Sequence, residues 1–156
     1  MENKFTVGSL YAGVGGICLG FKKAGFNLKW ANEFDKHACK TYKSNFEHHL
    51  IEGDVMNLNL SSLEKIDILT AGFPCQPFSL AGHRKGFEDR RGNHFFKILD
   101  FIDEMRPKVV FLENVKNLRG HDKGNTLKVI QSEIKKRNYT FDSAVLNTKD
   151  FGNTPH

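Results

Sequence analysis

Two side chains in this sequence have the chemistry and the setting for covalent catalysis, and each stands at the end of an apolar run. Cys75 follows Ile66-Asp67-Ile68-Leu69-Thr70-Ala71 inside Gly72-Phe73-Pro74-Cys75-Gln76-Pro77-Phe78-Ser79, with a proline on either side. A thiol in a turn stiffened by Pro74 and Pro77 is placed like a nucleophile, whereas a structural cysteine more often lies within a helix or strand. Taken alone, the segment supports nucleophile and structural residue about equally. Glu113 closes the second run, in Phe111-Leu112-Glu113-Asn114-Val115. A carboxylic acid in a partly apolar crevice favours its protonated form and can act as an acid. A salt-bridged glutamate at a strand end explains Glu113 better if nothing stands near it.

The elements around these residues decide whether they meet. Residues 5–10 read as a buried strand, followed by a glycine turn and a helix from Gly15 to Ala24 that Gly25 stops. Leu28 to Asn32 is a second short strand. Asp35 then reads as an N-cap, with Ala38, Tyr42 and Phe46 forming one helical stripe. A weak third strand is expected near His49 to Ile51 and a strong fourth from Ile66 to Ala71. Phe95, Leu99, Ile102 and Met105 line one face of the next helix, which Pro107 ends. Lys108 to Leu112 is a buried strand, Leu127, Ile130 and Ile134 mark another helix, and the alternation of Thr140 to Asn147 predicts a last strand. Strands separated by helical segments make βαβ units, hence a doubly wound parallel sheet. Ligands of such sheets sit at the carboxyl ends of the strands, where Cys75 and Glu113 would project from neighbours into one crevice. From Ser79 to Gly92 the chain is polar, carries Gly82, Gly86 and Gly92, and has no apolar period. A loop of that length in a compact domain is usually functional or disordered.

At the carboxyl end of the first strand, Leu10-Tyr11-Ala12-Gly13-Val14-Gly15-Gly16 leaves that strand and opens the first helix. Its glycines allow a tight turn and close approach to a ligand. The dinucleotide fingerprint is not met, because Cys18 stands where its third glycine belongs, and no lysine follows in P-loop fashion. Glu33 ends the second strand, twenty residues past Gly13, where a carboxylate can bind ribose hydroxyls. Asp54 follows the third strand and can accept from an adenine amino group, and Phe34 offers a wall for the base. Two carboxylates with few cations suit a nucleoside cofactor that lacks phosphates and carries positive charge. S-adenosylmethionine has both properties. No metal is called for.

Composition bounds the remaining possibilities. The 156 residues fit one domain with a full core, and the odd cysteine count without a leader argues for a reducing, cytoplasmic setting. No apolar run approaches the roughly 20 residues that span a bilayer. A net charge of +5 points weakly to a polyanionic partner. Its distribution says more. His83-Arg84-Lys85 and Arg90-Arg91 follow directly after Cys75 and suit a phosphate backbone. Lys135-Lys136-Arg137 is better read as a solvated last helical turn.

Taken in order, Gly13-x-Gly15-Gly16, Asn32-Glu33, Gly53-Asp54-Val55, the segment from Gly72 to Ser79, Gly86-Phe87-Glu88-Asp89-Arg90-Arg91-Gly92 and Glu113-Asn114-Val115 resemble the motifs of DNA cytosine-5 methyltransferases. The bacterial restriction–modification type is the nearest, and the resemblance covers essentially the whole chain. It implies a Rossmann-like, S-adenosylmethionine-dependent catalytic domain over residues 1–156. It also implies a flipped cytosine in double-stranded DNA, attacked at ring carbon 6 by Cys75 while Glu113 serves ring nitrogen 3. Arg91 would hold the active-site geometry, and Asn114 would support the Glu113 loop. Tyr11, Gly13, Gly15, Gly16, Glu33, Phe34, Asp54, Val55 and Pro74 would hold the cofactor, and Ser79, Arg84, Lys85 and Arg90 would meet DNA.

The sequence also departs from the pattern it resembles. Tyr11 stands where phenylalanine is commoner, and His94 occupies a position that is usually apolar. Phe151 to His156 resembles the approach to a Gln-x-Arg-x-Arg motif, with the last core strand and the target-recognition domain still to come. A gene fragment, a partial sequence, or half of a split enzyme completed by a second polypeptide all account for this. An inactive remnant that keeps the cofactor fold, or a tRNA cytosine-5 methyltransferase, are the alternative functions. A nicotinamide oxidoreductase is remote, since it leaves Cys75 and Glu113 unexplained.

Overall fold

The computed structural model describes residues 5–74 and 94–152. The chain divides into two compact units, Met1–Val115 and Lys116–His156. In the first unit β1 (Thr6–Leu10), α1 (Gly16–Lys23), β2 (Asn27–Glu33), α2 (Lys36–Asn45), β3 (His49–Glu52), β4 (Ile68–Gly72), α3 (His94–Met105) and β5 (Val109–Glu113) follow in that order. The five strands form one parallel sheet in the order β3-β2-β1-β4-β5. The order reverses between β1 and β4, which opens a crevice at their carboxyl ends. This is the expected doubly wound sheet.

Both faces of the sheet are covered, which is why its central strands are apolar almost without a break. Trp30 and its neighbour Ala31 alternate across β2. Ala31 joins Ala12, Cys18, Tyr42 and Phe46 in a cluster beneath α1 and α2. Trp30 turns the other way, toward Phe101 of α3, with ring centroids 6.4 Å apart. Gly8 makes room for it: a Cβ at that position would run into the indole ring. The indole N–H donates to the Glu64 carbonyl at 2.9 Å, so the buried ring leaves no polar atom unpaired. Asp35 caps α2 by accepting the Ala38 N–H at 2.7 Å, as its position before the helical stripe predicts.

The amino ends of three strands are tied at Asp67. Its carboxylate accepts from the Thr6 N–H and the Thr6 hydroxyl, both at 2.9 Å, and pairs with Lys108 at 2.8 Å. Its carbonyl accepts from the Lys108 and Val109 N–H groups. β1, β4 and β5 are thereby held in register at the end opposite the crevice.

The second unit contains α4 (Asn125–Lys136), with Thr126, Ile130 and Ile134 buried. Lys135 and Lys136 fall in its last turn, where the helix dipole favours them. The strand expected over Thr140 to Asn147 is not formed. That segment has no ladder partner among the described residues, and Val145 and Leu146 are exposed. Alternation and β-forming side chains favour an extended chain but do not supply the neighbour that a strand requires. In the first unit β5 lies at one edge of the described sheet, with Val109 and Phe111 exposed. Among the described residues no helix is long and apolar enough to cross a membrane.

Candidate functional site at the carboxyl ends of the strands

The crevice is built from the turns into which the strands run, all of them within the first unit. β1 leads into Tyr11, Gly13, Gly15 and Gly16. Gly13 and Gly15 have φ of 57° and 97°, and Gly15 caps α1. Gly15 also admits no side chain for a second reason: a Cβ there would collide with the Phe46 ring. Phe46 belongs to an aromatic floor under the turn, with Tyr42 at 4.5 Å and His48 at 5.4 Å between ring centroids. The Tyr42 hydroxyl meets His48 Nε2 at 2.6 Å. Burial, and then the neighbouring Lys22 ammonium, hold the His48 imidazole below its ordinary pKa, while burial raises that of the Tyr42 hydroxyl. The floor is therefore uncharged near neutral pH.

β2 ends in a pair of residues that organise the rim. The buried Asn32 donates from Nδ2 to the carbonyls of Ile51 and Gly53, at 3.0 and 2.9 Å. Its own carbonyl accepts the Ala12 N–H at 3.0 Å. Glu33 Oε2 accepts the Gly13 N–H at 2.7 Å, and Oε1 accepts those of Phe34 and Asp35 at 2.8 Å each. The Glu33 carbonyl takes the Gly53 N–H at 2.9 Å. Glu33 is thus fixed by three N–H groups, with further lone pairs left for a ligand. Phe34 beside it is 72% exposed, a free aromatic face.

Past β3, Asp54 caps a short 3-10 turn over Val55–Asn57 by accepting the Met56 N–H at 2.9 Å. Val55 is buried. The Asp54 carboxylate acts electrostatically on Tyr11: burial first, and then this negative charge, raise the pKa of the Tyr11 hydroxyl, which stays protonated.

β4 and β5 supply the other wall. Gly72 is paired with Glu113 across the ladder, and a Cβ on Gly72 would stand 3.3 Å from Glu113 Oε2 and 3.6 Å from the Tyr11 carbonyl. The glycine therefore leaves the space over which the Glu113 carboxylate lies, toward β1. Asn114 Nδ2 donates to the Phe73 carbonyl at 2.7 Å, and its Oδ1 accepts the Val115 N–H at 2.9 Å. Asn114 so ties the end of β5 to the end of β4. Phe73 is buried and Pro74 exposed.

Tyr11, Gly13, Gly15, Gly16, Glu33, Phe34, Asp54, Val55, Pro74 and Glu113 all fall on this one end of the sheet. Cys75, Ser79, Arg84, Lys85, Arg90 and Arg91 lie outside the described residues. Asn32 and His94 are not among the site residues expected from the sequence. An asparagine closing an otherwise apolar strand is the available signal for the first, because buried amides must find partners. For His94, the sign is a histidine at a position where the pattern is usually apolar. Among the described residues, no three His, Cys, Asp or Glu side chains are grouped to hold a metal ion.

Known proteins match this chain over nearly its full length. The family model described as C-5 cytosine-specific DNA methylase matches residues 5–156. The Type II methyltransferase M.Bsp6I of Bacillus sp. (strain RFL6) is 52% identical over 151 residues, covering 96% of this chain and 48% of that protein. The Type II methyltransferase M.HhaI of Haemophilus parahaemolyticus is 46% identical over 143 residues, covering 92% of this chain and 43% of that protein. The chain spans about half the length of these curated relatives. Among solved structures, a prophage-encoded E. coli protein described as a DNA modification methyltransferase superposes with a TM-score of 0.66 at 26% identity, over 85% of this chain and 38% of that one.

Proposed function

The chain belongs to the C-5 cytosine-specific DNA methylase family, and on that premise we propose that it carries the catalytic and cofactor-binding portion of a DNA cytosine-5 methyltransferase. The substrate is a cytosine in double-stranded DNA, and the setting is a restriction–modification system, as the names of its Type II relatives suggest. The observation that carries the reading is the position of Glu113: its carboxylate lies over Gly72, at the strand end that leads through Pro74 into Cys75.

The rim fits S-adenosylmethionine by the chemistry of its donors and acceptors. Glu33 has spare acceptor positions for ribose hydroxyls, Asp54 can accept from an adenine amino group, and Phe34 and Tyr11 present aromatic faces. Two carboxylates would repel a diphosphate and suit a cationic ligand. When bound, the cofactor supplies an activated methyl group on a sulfonium.

Each residue of this chain then has a separate task. The Cys75 thiolate forms a bond to ring carbon 6 of a flipped cytosine. Glu113 holds a proton at ring nitrogen 3, which draws charge from the ring and opens carbon 6 to the thiolate; the addition then leaves carbon 5 nucleophilic as the carbon of an enamine. After methylation, loss of the carbon-5 proton to solvent water and expulsion of the Cys75 thiolate restore the aromatic ring, and the proton at nitrogen 3 returns to Glu113. Arg91 holds the geometry of this site, and Ser79, Arg84, Lys85 and Arg90 contact the DNA backbone. A second polypeptide, or a further part of the same protein, supplies target recognition.

The test is capture on a duplex carrying 5-fluorocytosine, in the presence of S-adenosylmethionine and any partner polypeptide. Fluorine cannot leave as a proton does, so the adduct should persist, map to Cys75 and vanish in Cys75→Ser. Cofactor binding without any adduct or methyl transfer would instead favour the inactive remnant.

A further inference from the structure

The geometry points to His94 as a positioning residue of the cofactor site, acting through Tyr11. The inference rests on the proposed cofactor site and deepens it. Tyr11 leaves β1 with φ of 54°, a left-handed conformation that is uncommon for an aromatic residue and is held only by its surroundings. Two contacts to one residue do the holding. The Tyr11 hydroxyl lies 3.1 Å from His94 Nδ1 and donates to the His94 carbonyl at 3.3 Å. The two rings meet edge to face, with centroids 5.4 Å apart and planes at 81°.

Both polar contacts are satisfied together when Nδ1 carries a proton: Nδ1–H donates to the hydroxyl oxygen, and the hydroxyl donates to the carbonyl. A phenylalanine at position 11 cannot reproduce either bond. His94 is itself held firmly. It opens α3, whose next residue, Phe95, is buried and stacks near Phe73 with centroids 5.9 Å apart. The first turn of α3 thus docks against the ends of both β1 and β4, and through the Tyr11 ring it fixes the wall that faces Asp54. These are also the two positions at which the sequence departs from the pattern it resembles, and the departures touch one another.

The consequence is a unit that should be exchanged whole. Tyr11→Phe leaves the part-buried Nδ1 without the hydroxyl, and His94→Leu leaves the hydroxyl only the main-chain carbonyl of residue 94 against an apolar side chain. Replacing both side chains with apolar groups of similar shape removes that mismatch and can be almost neutral. In the full chain, Tyr11→Phe and His94→Leu should each weaken S-adenosylmethionine binding by roughly three- to tenfold. The double variant should return to within about twofold of the parent, a non-additivity that distant, independent sites do not show. His94→Asn, which keeps an amide donor near the Nδ1 position, should recover most of the loss. Calorimetric titration reads the affinity, and the unliganded melting temperature separates binding from folding.

A merely structural pair would lower the melting temperature of the single variants and leave the affinity of the folded fraction unchanged; that result overturns the inference. So does additivity in the double variant, provided that the parent binds the cofactor. A parent that binds no cofactor sinks the site reading and this inference with it. The 15N shift of the His94 ring gives a ligand-free check: it must move in Tyr11→Phe, and a shift that stays put shows that the pair is not formed.

Discussion

The Glu33 carboxylate accepts the Gly13 N–H at 2.7 Å, so the end of β2 holds the turn that leaves β1. The same side chain that is proposed to bind ribose is also the clamp on the glycine turn beside it. Glu33→Gln puts an amide donor where one of three N–H groups now points. We expect a stability loss of roughly 1–3 kcal/mol, the cost of a buried or part-buried donor left unmet. S-adenosylmethionine affinity should fall at least tenfold, beyond what the melting shift explains. Denaturant titration and calorimetry on one preparation separate the two effects. An unchanged affinity would remove Glu33 from the ligand site.

Asn32 is the buried link between the ends of β2 and β3. Asn32→Ala strands the Ile51 and Gly53 carbonyls and should cost about 2–4 kcal/mol, as two acceptors lose their donor. Asn27, exposed at the start of the same strand, is the control, and Asn27→Ala should stay within about 0.5 kcal/mol of the parent. Urea midpoints compare them. Equal effects would mean that the Asn32 bonds carry no stability.

Gly15 and Gly16 are neighbours with opposite demands. Gly15→Ala combines a φ of 97° with a Cβ driven into Phe46, and should cost roughly 1–3 kcal/mol. Gly16→Ala has nothing within 4 Å of the new methyl group and begins α1, so the protein should keep its stability or gain up to about 1 kcal/mol. If Gly16→Ala folds normally and loses cofactor affinity, the ligand approaches the backbone there. Retained affinity would place the ligand away from Gly16.

Asp67 makes stability depend on pH. The Lys108 hydrogen bond and then those from Thr6 lower its pKa from an ordinary 3.8 to about 2. A group depressed in the folded state contributes stability that is fully present above the unfolded value and is lost as pH falls through the folded one. The protein should therefore lose stability from about pH 4 down to about pH 2. Asp67→Asn should flatten that part of the profile. Thermal melts in about 0.05 and about 0.5 M salt check the share of the exposed Lys108 pair, which salt should weaken. A profile unchanged by the substitution would assign the acid sensitivity to other carboxylates.

Much of the fold is legible in the residues taken in order. Apolar runs separated by helical stripes define parallel βαβ units, and Asp35, Gly25 and Pro107 mark element ends through local chemistry. The failure at Thr140 to Asn147 has the same root as the successes elsewhere. Side-chain alternation is local, but a ladder partner is not, and this segment has none among the described residues.

Of the site, the sequence by itself determined which groups stand at strand ends: Tyr11 and the glycines after β1, Glu33 after β2, Asp54 after β3, and Glu113 after β5. Periodicity and turn residues suffice for that, because each depends on a few neighbouring positions. Only the tertiary structure decided how those ends are joined. Gly13 to Glu33, Asn32 to Gly53, Phe73 to Asn114 and Tyr11 to His94 are bonds between residues 20 to 83 positions apart in the chain. Such pairings arise because buried donors and acceptors on separate strands must satisfy one another once the sheet has closed, a condition set by the packed whole.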